Sequence, residues 1–237
     1  MKRDTISFFV LLLSLAIGTI ACDDGRIYEE ERVVVREGSV VRLTATVTGS
    51  DSWPAGYSLV LAGFEEGNDY AQLAKGLGIA SDGSVSLTLG GVTSDIDRLE
   101  ICVINKLRKR VASFYQTVAE QSPDTVYINA GAIDASLFTA IQTQVFDTNC
   151  ASCHGASTAA AGGLFLTDGR SYEALVNVPA ITSPEGKPLV APGDAAGSYL
   201  MDVLEEGASA HYHVDILSGH SDALALLRDW IEAGAPE

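Results

Sequence analysis

The feature that most constrains this chain is one pentapeptide, Cys150-Ala151-Ser152-Cys153-His154. Cys-x-x-Cys-His is the attachment signature of c-type haem. Two thiols separated by two residues can add across the two vinyl groups on one edge of the macrocycle. The His that follows at once then lies under the iron as its proximal ligand. A structural zinc site needs four ligands, and the chain has no second Cys pair. A thioredoxin-like dithiol belongs to a βαβ setting, which the flanking residues do not supply. The motif therefore predicts one covalent haem c, held by Cys150 and Cys153 and ligated by His154. Because such a haem forms much of its own core, few residues need fold around it.

The rest of the chain must accommodate that group. Its 237 residues allow one or two domains, and its formal charge is −16. No basic stripe could neutralise phosphates, which argues against nucleic acid as a partner. Met1-Lys2-Arg3 is a short basic start, and Ile6 to Ala21 is apolar but short for a membrane span. The run ends Thr19-Ile20-Ala21-Cys22, which resembles a bacterial lipobox, with Thr19 where Leu is usual. That resemblance implies cleavage before Cys22 and its lipidation, with several acyl chains giving a stable anchor. Ordinary signal cleavage is the alternative. Either outcome places the protein outside the cytoplasmic membrane, facing the periplasm or on the cell surface. Removing residues 1–21 leaves a charge near −17.

Residues 22–31 read as an acidic tether. Between residues 32 and 131 apolar residues alternate in Val41 to Val47, Tyr57 to Leu61 and Val85 to Leu89, and Leu99 to Ile104, Val111 to Val118 and Thr125 to Ile128 are further strand candidates. Glu37-Gly38, Trp53-Pro54, Asp82-Gly83, Gly90-Gly91 and Ser122-Pro123 punctuate them. This pattern predicts an all-β, immunoglobulin-like sandwich. A short helix is expected at Tyr70 to Lys75. Cys102, inside an apolar run, reads as a buried small hydrophobe. Lys106, Arg108, Lys109 and Arg110 crowd a hairpin tip, either as a docking spot or as a solvated, charged turn.

From residue 132 the periodicity is helical. Asp134 can cap Ala135 to Thr148, a second helix is expected from Asp194 to Glu206, and a third from Ser218 to Ala233, stopped by Gly234. The expected fold class is thus two-domain: the sandwich, then an all-α cytochrome c domain over 132–237.

Four stretches carry a family resemblance. They are Cys150 to Gly155, Gly162-Gly163-Leu164-Phe165-Leu166, Ala191-Pro192-Gly193-Asp194 with Ser198-Tyr199-Leu200, and Trp230-Ile231-Glu232-Ala233-Gly234-Ala235-Pro236. In this order they resemble small cytochrome c domains of the planctomycete type, over about the last hundred residues. The resemblance implies one haem and electron transfer. Such domains carry Met-Pro-Pro before the last helix as distal ligand, whereas this chain reads Ala210-His211-Tyr212-His213-Val214 there. His213 is the expected distal ligand, with His211 and Met201 as alternatives.

The function expected from these readings is one-electron transfer between extracytoplasmic redox partners, without substrate conversion. Two other classes stay open. One is a haem-based sensor or peroxidase-like enzyme with an exchangeable distal site. The other is a β-domain adhesion or binding module with an accessory haem.

Overall fold

The computed structural model describes residues 38–155, 160–206, 213–217, 219 and 221–237. The leader, Cys22 and His211 lie outside the described residues. Two sheets dominate. In the first, β1 (Ser39–Thr48) runs between β4 (Ser84–Val92) and β7 (Val126–Asp134). In the second, β3 (Leu73–Gly76), β2 (Ser58–Phe64), β5 (Arg98–Ile104) and β6 (Arg110–Val118) lie in that order, each antiparallel to its neighbour.

Alternation decides how the sheets meet. Val41, Leu43, Ala45 and Val47 of β1 all point inward, and Arg42, Thr44 and Thr46 between them face solvent. Val85, Leu87 and Leu89 of β4 join them, and Leu61, Leu99 and Ile101 approach from the second sheet to complete one buried layer. β2 and β5 are buried on both faces. Val60, Ala62, Phe64, Cys102 and Ile104 form a second apolar cluster on the outer side, together with Ala71 of the β2–β3 loop. That loop is tied to the hairpin tip by hydrogen bonds from Ala71 N–H to Arg108 O, 3.0 Å, and from Arg110 N–H to Asp69 O, 2.8 Å. The short helix expected at Tyr70 to Lys75 is absent. Leu73–Gly76 instead pairs with Val60 to Gly63 as an edge strand.

The expected fold class is overturned. The described chain is mostly β, in two sheets, and no all-α C-terminal domain follows. The helices are short. α1 (Leu137–Ile141) continues through a wider segment, Gln142–Cys150, into α2 (Ala151–His154). α3 is Ser171–Leu175, and α4 (Tyr199–Met201) continues as Asp202–Glu206. α5 (Ser221–Glu232) is three turns long. Between these pieces, glycines and prolines stop propagation, and the chain runs in turns and isolated bridges such as Val176–Val190 and Pro179–Pro188. The first sheet also departs from an all-antiparallel sandwich, since β7 runs parallel to β1.

Helix ends follow local chemistry. Asp134 ends β7 rather than capping a helix. Ser136 is the N-cap, accepting from Thr139 N–H at 3.2 Å, and Asp134 in turn accepts from Ser136 N–H at 3.0 Å. α5 stops at Gly234, whose φ of +95° suits only glycine comfortably, and Ala235 N–H closes back on Trp230 O at 2.9 Å. The second helix starts at Tyr199, not Asp194, because Ala191–Ser198 is a self-bonded turn. Asp194 accepts there from Gly197 N–H at 2.8 Å, and Ser198 Oγ donates to Asp194 O at 2.8 Å.

These elements share one apolar core. Leu137, Ile141, Val145 and Phe146 meet Leu226, Leu227, Trp230 and Ile231 of α5. Trp53 and Val111 from the β region pack on its margin. Trp53 Nε1–H donates to Ala135 O at 2.7 Å, and Lys109 pairs with Asp222 in the first turn of α5.

Candidate haem-attachment site

The Cys-x-x-Cys-His motif forms the last helical turn before Gly155. Cys150 is partly buried against the core just described, Cys153 is exposed and His154 is half-buried. A side chain at residue 155 would collide with the carbonyl oxygen of Ala151, so glycine is what lets the chain leave the turn at His154. Burial pushes the Cys150 thiol up to about 11. That is opposite to the depressed thiol of redox-active Cys-x-x-Cys pairs.

The geometry around His154 fixes its tautomer. Its Nδ1 lies 3.2 Å from the carbonyl oxygen of Leu164. A carbonyl only accepts, so Nδ1 carries the proton and Nε2 keeps the lone pair that can ligate a metal. A backbone bond holds the partner segment in place: Leu166 N–H donates to His154 O at 2.8 Å. The Gly162 to Leu166 stretch therefore has a structural task, which is to present one carbonyl to one imidazole.

A second imidazole stands nearby. The ring centroids of His154 and His213 are 6.2 Å apart, with planes tilted by 32°. With metal–imidazole bonds of about 2 Å, two imidazoles on one metal would stand about 6 Å apart, centre to centre. His213 opens a turn closed by Ile216 N–H on His213 O at 3.0 Å, with Val214 beside it. Met201 is 2 % exposed and lies among the core side chains with Leu204 and Leu217. Among the described residues no cluster of three or more His, Cys, Asp or Glu is gathered as a metal site. A haem iron takes only two ligands from the protein, so these residues suit haem: two sulfurs on one turn, an oriented imidazole, a second imidazole at ligand spacing, and apolar surface beside Cys150.

The basic hairpin tip is largely engaged within the molecule. Arg108 Nε–H donates to Ala71 O at 3.0 Å, Lys109 pairs with Asp222, and Arg110 pairs with Glu100 at 2.6 Å and Asp69 at 2.5 Å. Sequence reading missed Gln142, which is 4 % exposed and hydrogen-bonds Leu166 O, next to the haem motif. No sequence signal separates it from Gln144, two residues on, which is exposed. Among the described residues no helix is long and apolar enough to cross a membrane. Comparison with family models, with curated proteins and with solved structures finds no match for this chain.

Proposed function

We propose that this chain is an exported c-type cytochrome that carries one covalent haem and passes single electrons between redox proteins outside the cytoplasmic membrane. The observation that carries the reading is the pair of imidazoles, one of them in the Cys-x-x-Cys-His turn, at the spacing of two ligands on one metal. The resemblance of the last hundred residues to planctomycete-type cytochrome c domains supports it.

When bound, haem would supply the one-electron couple of its iron. The chain's own residues do the rest. Cys150 and Cys153 would hold the group by thioethers, which would keep it from being lost to solvent. His154 offers Nε2 to the iron because Leu164 O occupies Nδ1–H. His213 would supply a second imidazole ligand. The acidic surface disfavours nucleic acid and favours partners with a basic docking face. A lipid on Cys22 would tether the protein to a membrane through residues 22–31.

The test is expression of the full chain with a c-type haem maturation system, followed by acid-acetone extraction. The colour is expected to stay with the protein. Haem passing into the organic phase, or a purified protein that never acquires haem, would overturn the proposal.

A further inference from the structure

Gln142 opens the helical segment that leads into the haem motif, and its amide is bonded at both ends. Both Nε2 partners can only accept: Asp147 Oδ1 at 2.7 Å and Leu166 O at 3.3 Å. Its Oε1 accepts from the hydroxyl of Ser171, a residue with no exposed surface. These partner types settle which end of the amide is which. The helix makes the arrangement possible. In an α-helix, residues five apart point about 140° away from each other. The Gln142–Cys150 segment is wound more widely, with bonds spanning five residues, such as Ala151 N–H to Phe146 O. That winding brings Asp147 onto Gln142.

The bonds form a chain leading to His154. Gln142 holds Leu166 O, Leu166 N–H holds His154 O, and Leu164, two residues before Leu166, bonds His154 Nδ1. We propose that Gln142 is a positioning residue for the haem iron's proximal ligand: by clamping Leu166 it keeps the Leu164 carbonyl on His154 Nδ1–H and so keeps Nε2 as the ligating nitrogen. This rests on the haem reading above. Ser171 seats the Gln142 amide from the other side. A strong acceptor on Nδ1–H makes the imidazole a better donor to ferric iron, and loosening it favours the ferrous state.

The experiment compares haem-loaded full-length protein with Gln142→Leu and Ser171→Ala. Neither substitution changes charge, so a shift cannot come from a lost carboxylate. The readouts are the midpoint potential and the ferric EPR g-values. Outer-shell partners of metal-bound His are typically worth about tenfold or more in metal affinity. A tenfold loss of the ferric preference raises the potential by about 59 mV for one electron. Gln142→Leu is expected to rise by about that amount, and Ser171→Ala by less in the same direction, with altered g-values in both. If Gln142→Leu fails to fold, Ser171→Ala decides alone. Wild-type potential and g-values in the folded variants would overturn the positioning role while leaving the cytochrome reading intact. Absence of covalent haem from the wild type would overturn that reading first.

Discussion

The phenol of Tyr57 donates a 2.5 Å hydrogen bond to Asp229 Oδ2, joining the residue just before β2 to the last turn of the last helix. Asp229 lies seven residues after Asp222, two turns along the same helix, and Asp222 is held by Lys109. The last helix is therefore gripped twice by the β region through its acidic side, while its apolar side faces the core that includes Trp230 and Ile231. Burial and then the Asp229 carboxylate raise the Tyr57 pKa well above its ordinary value. The folded protein thus keeps a proton that the unfolded chain releases above about pH 10. Stability is full below that pH and falls as pH rises further, towards the raised folded value. Tyr57→Phe should cost about 1–2 kcal/mol at neutral pH and flatten this alkaline fall. Urea denaturation at several pH values between neutrality and strong alkali checks both parts. An unchanged alkaline slope in the variant would exclude Tyr57 as its source.

Arg110 is the nearer of two counter-charges, with Arg98, to the Glu100 carboxylate, which has no exposed surface. It bonds Glu100 Oε1 at 2.6 Å, bonds Asp69 at 2.5 Å and lies over the Phe64 ring. Glu100 Oε2 has no hydrogen-bond partner, so the site has little capacity to absorb a loss. Arg110→Met should destabilise by about 3 kcal/mol, because the buried carboxylate then keeps only the longer 3.9 Å contact with Arg98. Adding Glu100→Leu should recover most of that, since an apolar pair of similar size avoids the desolvation cost. Denaturation midpoints of the two variants are the measurement. A double variant as unstable as the single one would mean that the ion pair itself, and not the orphaned charge, carries the stability.

Thiol chemistry offers an independent count. Cys102 has no exposed surface, and its pKa is pushed up to about 12, first by burial and then by Glu100. It should resist a thiol reagent in the native protein and react once unfolded. With Cys150 and Cys153 held as thioethers and Cys22 lipidated, the mature protein should titrate zero thiols when native and one in denaturant. Rapid native reaction would point to the exposed Cys153 as a free thiol. It would count directly against haem attachment.

Some of this structure was legible from residues alone, and the boundary has physical causes. Val41 to Val47 reads as a strand because only alternation buries its four apolar residues on one face, and β1 does so. Leu73–Gly76 does not read as a strand, because at a sheet edge its fitness comes from pairing with β2 and not from its own pattern. The parallel pairing of β7 with β1 is likewise invisible locally, since alternation looks the same in either direction. The all-α expectation failed because helical periodicity near Leu137 and Leu224 was extended across a Gly- and Pro-rich middle that forms turns. At the site, Cys150, Cys153 and His154 are named by spacing alone. Gln142 and the Leu164 carbonyl are not, because one acts through a tertiary hydrogen bond and the other through its backbone.

The distal ligand is the sharpest remaining expectation. Three side chains compete: His213, His211 and Met201. Met201 is 2 % exposed and surrounded by core apolar groups, where a thioether does ordinary packing work. His213 has its ring 6.2 Å from that of His154, centre to centre, about the distance two imidazoles keep across one iron. His211 lies outside the described residues, so the observed geometry favours His213. His213→Ala should therefore convert the ferric haem from low to high spin, while His211→Ala and Met201→Leu stay low-spin. The wild type should lack the sulfur-to-iron absorption band at the red end of the ferric spectrum. Its potential should lie below that of a His/Met cytochrome, since Met ligation raises it. Met201→Leu turning high-spin while both His variants stay low-spin would transfer the role to Met201, and a high-spin wild type would open the distal site to exogenous ligands.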